Sequence, residues 1–82
     1  MATIRLRLFA AARDAAGRST DTLDAATLGE VLTQARCAYG TAFAAVLEHS
    51  RVWVNGDEAA QGEATVLTND DEIAVLPPVS GG

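Results

Sequence analysis

The chemistry this sequence offers sits at its carboxyl end, in the run Leu76-Pro77-Pro78-Val79-Ser80-Gly81-Gly82. Gly81 and Gly82 carry no Cβ, so the last stretch of backbone is thin enough for a slot that excludes any other residue. Pro77 and Pro78 each fix φ near −65° and remove an N–H donor, so a preceding strand must stop and the tail must leave extended. The residues after Leu76 can reach roughly 20 Å at about 3.3 Å each. A stiff base, a narrow tip and a terminal carboxylate suit a chain whose end is delivered into another protein's active site. An ionised carboxylate is a poor electrophile, so chemistry at Gly82 first requires activation of that carboxylate.

Little else in the chain is equipped to react. It has one cysteine, Cys37, and one histidine, His49, and no Cys/His set has metal-ligand spacing. No metal or bound cofactor is expected. All 6 basic residues are arginines and lysine is absent, which excludes a lysine Schiff base or P-loop lysine and leaves no side-chain amine for isopeptide attachment. A formal net charge of −5 argues against nucleic-acid binding and favours partners with basic surfaces. No apolar run approaches the ~20 residues of a membrane span, and Met1-Ala2-Thr3-Ile4 enters an alternating pattern with no signal peptide, so the expected location is cytoplasmic.

The elements that must position the tail can be read from periodicity. With 49% hydrophobic and 21% charged residues, the 82-residue chain reads as one small globular domain. Thr3 to Phe9 alternates, with Ile4, Leu6 and Leu8 on one face and Arg5, Arg7 and Phe9 on the other. Phe9 is the anomaly, an aromatic on the solvent side. Ala10 to Gly17 reads as a loop or short helical turn, and Ser19 to Leu23 as an edge-like second strand forming a hairpin with the first. Thr27-Leu28-Gly29-Glu30 is a capping box, with Glu30 reaching back to the Thr27 N–H. Leu28, Val31, Leu32, Ala35, Ala38 and Tyr39 follow on one helical face, and Gly40 ends the helix. Thr41 caps a short turn burying Phe43, Val46 and Leu47. Arg51 to Val54 is a strand with Val52 and Val54 on one face and Trp53 on the other. Asn55-Gly56 signals a tight turn. Ala64 to Thr68 is another extended piece, and Asn69-Asp70-Asp71 a turn. Glu72 to Leu76 is the last strand, with Ile73 and Val75 inward and Ala74 and Leu76 outward. One helix stripe and one sheet face pack as two layers, with the first strand mid-sheet and the last beside it in parallel. The expected fold class is α+β, a β-grasp of four to five strands on one main helix over residues 1–76, with residues 77–82 as an extended tail.

On this pattern the chain resembles the ubiquitin-like sulfur carriers, most closely the MoaD-type small subunit of molybdopterin synthase. The residues that carry the likeness are Leu8-Phe9-Ala10-Ala11-Ala12-Arg13-Asp14, Val54-Asn55-Gly56 and the run from Asn69 to Gly82. Carriers of the thiamin-thiazole type also end in Gly-Gly but generally lack the Pro-Pro step. The resemblance implies that an E1-like adenylyltransferase of the MoeB type uses ATP to join the Gly82 carboxylate to AMP. A sulfurtransferase or other sulfur donor then supplies the atom that makes a C-terminal thiocarboxylate. It implies further that the tail enters the large, pterin-binding subunit and gives sulfur to a cyclic pyranopterin phosphate, building the dithiolene of molybdopterin. Gly82 would bear the sulfur and Gly81 give clearance. Phe9, Leu76 and Arg13 match family partner-contact positions, and Pro77, Pro78, Val79 and Ser80 form the inserted stem. Trp53 departs from the small residue usual there and would either extend the partner surface or stack on neighbouring arginines. The chain would then be a sulfur-donor subunit and not an enzyme on its own.

Three other functions fit the same residues: a carrier for thiamin-thiazole or cysteine biosynthesis, a ubiquitin-like protein modifier, and a passive β-grasp interaction domain. Asp70-Asp71-Glu72 reads as a solvated turn, because three adjacent acids do not make a cation cage. Cys37 reads as an inert thiol beside core positions. His49 has no nucleophile or ligand set near it, and Arg5 and Arg7 read as a solvated face that an acidic partner would use.

Overall fold

The computed structural model describes residues 1–59 and 61–78. Strand β1 (Ala2–Leu8) alternates without a break, burying Ala2, Ile4, Leu6 and Leu8 and exposing Thr3, Arg5 and Arg7. Strict period-two alternation is what a strand needs when one face meets a core and the other meets solvent. Helix α1 (Ala10–Ala16) follows, then β2 (Thr20–Ala25), α2 (Leu28–Tyr39), α3 (Thr41–Glu48), β3 (Arg51–Val54), β4 (Asp57–Glu58), a 3₁₀ turn (Gly62–Ala64) and β5 (Glu72–Leu76). The sheet order is β2-β1-β5-β3-β4. β1 and β5 run parallel, with Leu6 opposite Ile73 and Leu8 opposite Val75, and the other pairings are antiparallel. This is the β-grasp arrangement, with five strands.

Several local expectations are corrected. Ala10–Ala16 is a two-turn helix, because an alanine run with one buried position, Ala12, needs no clear period to dock on the core. β1 and β2 pair antiparallel, as the expected hairpin requires, with α1 as their connection, and β2 runs beyond Leu23 to Ala25, which is fully buried. Ala64–Thr68 is not a strand: it holds the end of the 3₁₀ turn and a single bridge from Val66 to Thr27. The Thr27 hydroxyl accepts the Glu30 N–H as a capping box requires, but the Glu30 carboxylate takes the Ala26 N–H in place of that of Thr27. Ala38 is exposed, and so is Cys37, which therefore does not pack beside the core.

One core joins the layers. Leu28, Val31, Leu32 and Ala35 of α2 and Phe43 and Leu47 of α3 close over Ile4, Leu6, Leu8, Ile73 and Val75. Each such side chain contributes about 1.5–3 kcal/mol on removal from water, so the seven largest fully buried ones dominate the folding energy. Val52 and Val54 face this core from β3. Asn55 and Gly56 both take positive φ, 52° and 87°, the geometry of the primed turn that joins antiparallel strands without splaying them. Among the described residues no helix is long and apolar enough to cross a membrane.

Candidate functional site

The outer face of the sheet, opposite the helices, is where the candidate side chains gather. Parity sends Arg5, Arg7 and then Phe9 to this side of β1, Ala74 and Leu76 to this side of β5, and Arg51 and Trp53 to this side of β3. Register aligns them into rows. Arg7, Ala74, Trp53 and Glu58 lie side by side, and Leu76 lies opposite Arg51.

Phe9 stands just past the end of β1, held on both sides. Its N–H donates to the Val75 carbonyl at 3.3 Å, which continues the parallel β1–β5 ladder by one residue and brings Phe9 beside Leu76. Its own carbonyl accepts the Ala12 N–H at 3.0 Å and the Arg13 N–H at 3.4 Å, so Phe9 also caps α1. The chain turns sharply here: Ala10 adopts φ 49°, a left-handed conformation costing an alanine roughly 1–2 kcal/mol. That turn leaves the Phe9 ring at the strand end, 36% exposed, with the Arg7 guanidinium 5.4 Å from its centroid. A cation over a ring face is attracted by the quadrupole and keeps an apolar side chain presentable in water.

Leu76 is half-buried, less open than strict outward parity implies, with Arg51 opposite it on β3 and Phe9 beside it past the end of β1. Pro77 is half-buried and Pro78 exposed, so the tail departs from the corner occupied by Phe9 and Leu76. Arg13 is exposed one turn along α1, with Asp14 3.6 Å from its Nε. Trp53 is half-buried opposite the small Ala74, and its indole N–H is buried without an acceptor among the described residues. The expected cluster of Phe9, Leu76, Pro77 and Pro78 is thus one corner of the sheet, with Trp53 a row away and Arg13 beside it on the helix. Val79, Ser80, Gly81 and Gly82 lie outside the described residues.

Two hydrogen-bonded knots support this surface from its flanks, and periodicity gave no warning of either. Asp71 is not the merely solvated turn residue expected. Its carboxylate accepts the Thr68 N–H at 2.8 Å, the Asn55 amide at 2.9 Å and the Thr68 hydroxyl at 3.1 Å. The Thr68 N–H first, and then Asn55, hold its carboxyl below the usual carboxylate range, against the opposing effect of partial burial. At the other flank the Tyr39 hydroxyl donates to Asp21, whose carboxylate also takes the Thr22 N–H and faces Arg18 at 3.2 Å. The Tyr39 bond leads in lowering the Asp21 carboxyl, while burial, followed by the hydrogen bond to Asp21, pushes the Tyr39 phenol far up. Asn, Asp, Thr and Tyr in turns and at a helix end were the available signal, but the sequence alone does not say which carboxylate meets which donor.

No group of three or more His, Cys, Asp or Glu among the described residues is placed to hold a metal ion. The surface therefore offers apolar anchors, arginines and a departing tail, an arrangement suited to docking.

Comparison with known proteins agrees with this architecture. The ThiS family model matches residues 6–82. Small archaeal modifier protein 1 of Haloferax volcanii is 37% identical over 86 residues, spanning 93% of this chain and 97% of that protein. The solution structure of small archaeal modifier protein 1 from Methanosarcina acetivorans superposes with a TM-score of 0.88 at 30% identity, covering 100% of this chain and 98% of that one. A Pyrococcus furiosus chain described as a molybdopterin converting factor, subunit 1, shares the fold with a TM-score of 0.79 at 17% identity, over 96% of this chain and 100% of its own length. With a family match across nearly its whole length and the β-grasp architecture that goes with it, the chain belongs to the ThiS family of ubiquitin-like sulfur carriers.

Proposed function

We propose that this chain is the sulfur-carrier subunit of molybdopterin synthase. The observation that carries the reading is the corner where Pro77 and Pro78 leave β5 beside the exposed Phe9 and half-buried Leu76, followed in sequence by Val79-Ser80-Gly81-Gly82. An E1-like adenylyltransferase would grip that corner and draw the tail in. The Gly82 carboxylate attacks the α-phosphorus of ATP, pyrophosphate leaves, and an acyl-adenylate forms. Sulfide from a sulfur donor, or a donor persulfide whose S–S bond a thiol then reduces, displaces AMP at the acyl carbon and leaves the thiocarboxylate. The same corner would next dock the large pterin-binding subunit, where the soft thiocarboxylate sulfur bonds to a side-chain carbon of a cyclic pyranopterin phosphate as a C–O bond to the cyclic phosphate opens. Hydrolysis of the resulting thioester leaves the sulfur on the pterin and a carboxylate at Gly82. Two loaded copies supply the two sulfurs of the dithiolene. Every catalytic group belongs to the partners, and this chain contributes position and the carried atom.

The test is intact-mass analysis after incubation with ATP, a sulfur source and an activating enzyme, followed by addition of the large subunit and precursor. Exchange of one oxygen for sulfur, lost again as molybdopterin forms, supports the reading. A loaded chain that never discharges to the pterin precursor refutes the molybdopterin role and leaves thiazole or cysteine synthesis as the destination.

A second reading is favoured by the 37% identity to small archaeal modifier protein 1: conjugation of the activated Gly82 to lysines of other proteins. The chain's lack of lysine prevents lysine-linked self-chains. Higher-mass species joined through Gly82 in cell extracts would mark this use.

A further inference from the structure

We propose that the outer face of β1 and β2 carries a carboxylate-binding groove centred on Arg5, which docks an acidic segment of the protein that grips the Phe9–Leu76 corner. The proposal rests on the reading of this chain as a carrier presented to a protein partner, and adds the chemistry of a second contact.

The groove is an open concavity of about 380 Å³ lined by Arg5, Arg7, Thr20 and Thr22 and by two carboxylates, Asp21 and Glu72. Register explains its composition, because Arg5 lies opposite Thr22 on one side and Glu72 on the other, while Arg7 lies opposite Thr20. The charges around it are already engaged, except one. Arg7 reaches Glu72 at 3.5 Å and leans over Phe9. Asp24 accepts the Thr3 hydroxyl at 2.7 Å, and Asp21 is taken by Tyr39 and Arg18. Arg7, Arg13, Arg18 and Arg51 each have a carboxylate within ion-pair distance. Arg5 has no ion pair and no side-chain hydrogen bond among the described residues, and the Thr20 and Thr22 hydroxyls likewise bond to nothing described there. Glu72 is thus held by Arg7 and Asp21 by Arg18, which leaves the Arg5 guanidinium without an ion pair among the described residues, on a chain whose net charge is −5.

A planar guanidinium fork flanked by hydroxyl donors matches a carboxylate, which accepts two parallel N–H bonds and has lone pairs left for an O–H. One unmatched charge suits one or two acidic side chains. A nucleic-acid backbone, with a charge at every step, would meet Glu72, Asp24 and Glu58 on the same face. Position supplies the rest of the argument. Arg5 precedes Phe9 by four residues, about 13 Å along the strand, so one partner surface can cover both. A charged contact beside apolar anchors sets orientation and association rate more than affinity, which is what threading a tail into a narrow channel demands.

The test is an NMR titration of the full ¹⁵N-labelled chain with a hexaglutamate peptide, with hexaglutamine and inorganic phosphate as comparison ligands. Expected are saturable shifts at the Arg5 Nε–H and the Thr20 and Thr22 amides, weakened by salt and absent with hexaglutamine. Arg5→Ala, with its amide spectrum otherwise unchanged, should weaken binding about three-fold or more. Glu72→Gln should tighten it by removing the competing carboxylate. Arg7→Ala should weaken it indirectly, because the freed Glu72 then turns to Arg5. Shifts spread evenly over the arginines, an Arg5→Ala chain that binds as before, or phosphate binding as tightly as hexaglutamate would each overturn the proposal. The readout does not involve Gly82, so loss of sulfur loading with the groove intact would count against the carrier reading alone.

Discussion

Asn55 and Asp71 are bonded side chain to side chain at 2.9 Å, and the same Asn55 amide group accepts the Glu72 N–H through its oxygen at 2.9 Å. The β3–β4 turn is thereby tied to the first residue of the strand that ends in the tail. Asp71 also binds Thr68, and its backbone carbonyl accepts the Arg5 N–H at 2.9 Å, so the register of β5 against β1 and β3 is fixed where the strand begins.

Removing that tie should cost stability in a pH-dependent way. Asp71→Ala and Asn55→Ala should each lose on the order of 1–2 kcal/mol at neutral pH. The Asp71 carboxyl is depressed in the folded chain, so its contribution is full above its unfolded value near 3.8 and is lost as pH falls through the lower folded value. Urea midpoints of the native chain and Asp71→Ala should therefore differ at pH 7 and converge in acid. A constant gap would mean that charge plays no part in the tie.

How much of this was legible beforehand follows from what periodicity encodes. β1, β5 and the buried faces of α2 and β3 were readable because Ile4, Leu6, Leu8, Ile73 and Val75 repeat at two, and Leu28, Val31, Leu32 and Ala35 at three and four. Asn55-Gly56 was readable because positive φ selects those residues. The alanines of α1 were not, since Ala12, Ala15 and Ala16 face the core while the exposed Ala10 and Ala11 are alanine too, so no contrast in residue type marks the stripe. The 3₁₀ turn and the loss of a strand at Ala64–Thr68 follow from tertiary contacts of the α2 start, which local sequence does not carry. At the candidate site the corner of Phe9 and Leu76 was visible as two apolar residues on the wrong parity. The engaged arginines and the unengaged Arg5 depend on cross-strand register, which only the assembled sheet specifies.

Tyr39 should titrate late, and the fold should weaken before it does. As its phenol is raised above the ordinary value of about 10, the unfolded chain loses that proton first. Stability is full below pH about 10 and falls as pH rises beyond it. The single tyrosine makes this measurable by ultraviolet absorbance. Phenolate should appear together with unfolding, and Tyr39→Phe should remove that alkaline sensitivity. Phenolate forming in the intact fold near pH 10 would contradict the Asp21 bond.

Gly29 should tolerate alanine but nothing larger. A Cβ there would sit 3.2 Å from the Glu63 Cβ, its carbonyl oxygen and its Oε1, because the 3₁₀ turn lies directly against the start of α2. Gly29→Ala balances this crowding against a helix-propensity gain of up to about 1 kcal/mol and should be near neutral. Gly29→Val must displace backbone and should cost about 1–3 kcal/mol. Equal denaturation midpoints for the two variants would show that the turn yields freely.

The corner residues should separate binding from folding. Phe9 is 36% exposed and stands outside the buried core, so Phe9→Ala should change stability by no more than about 1 kcal/mol. Leu76 is half-buried between Phe9 and Arg51, so Leu76→Ala should cost more, about 1–2 kcal/mol, and still fold. For docking, the order changes: both are apolar anchors at the mouth from which the tail departs, and each truncation should weaken binding of the large subunit or activating enzyme about ten-fold or more. Calorimetric binding measured beside thermal melts separates the two effects. If Phe9→Ala binds as tightly as the native chain, the docking surface lies elsewhere on the sheet, and the Ala10 turn that sets the ring at the strand end has another purpose.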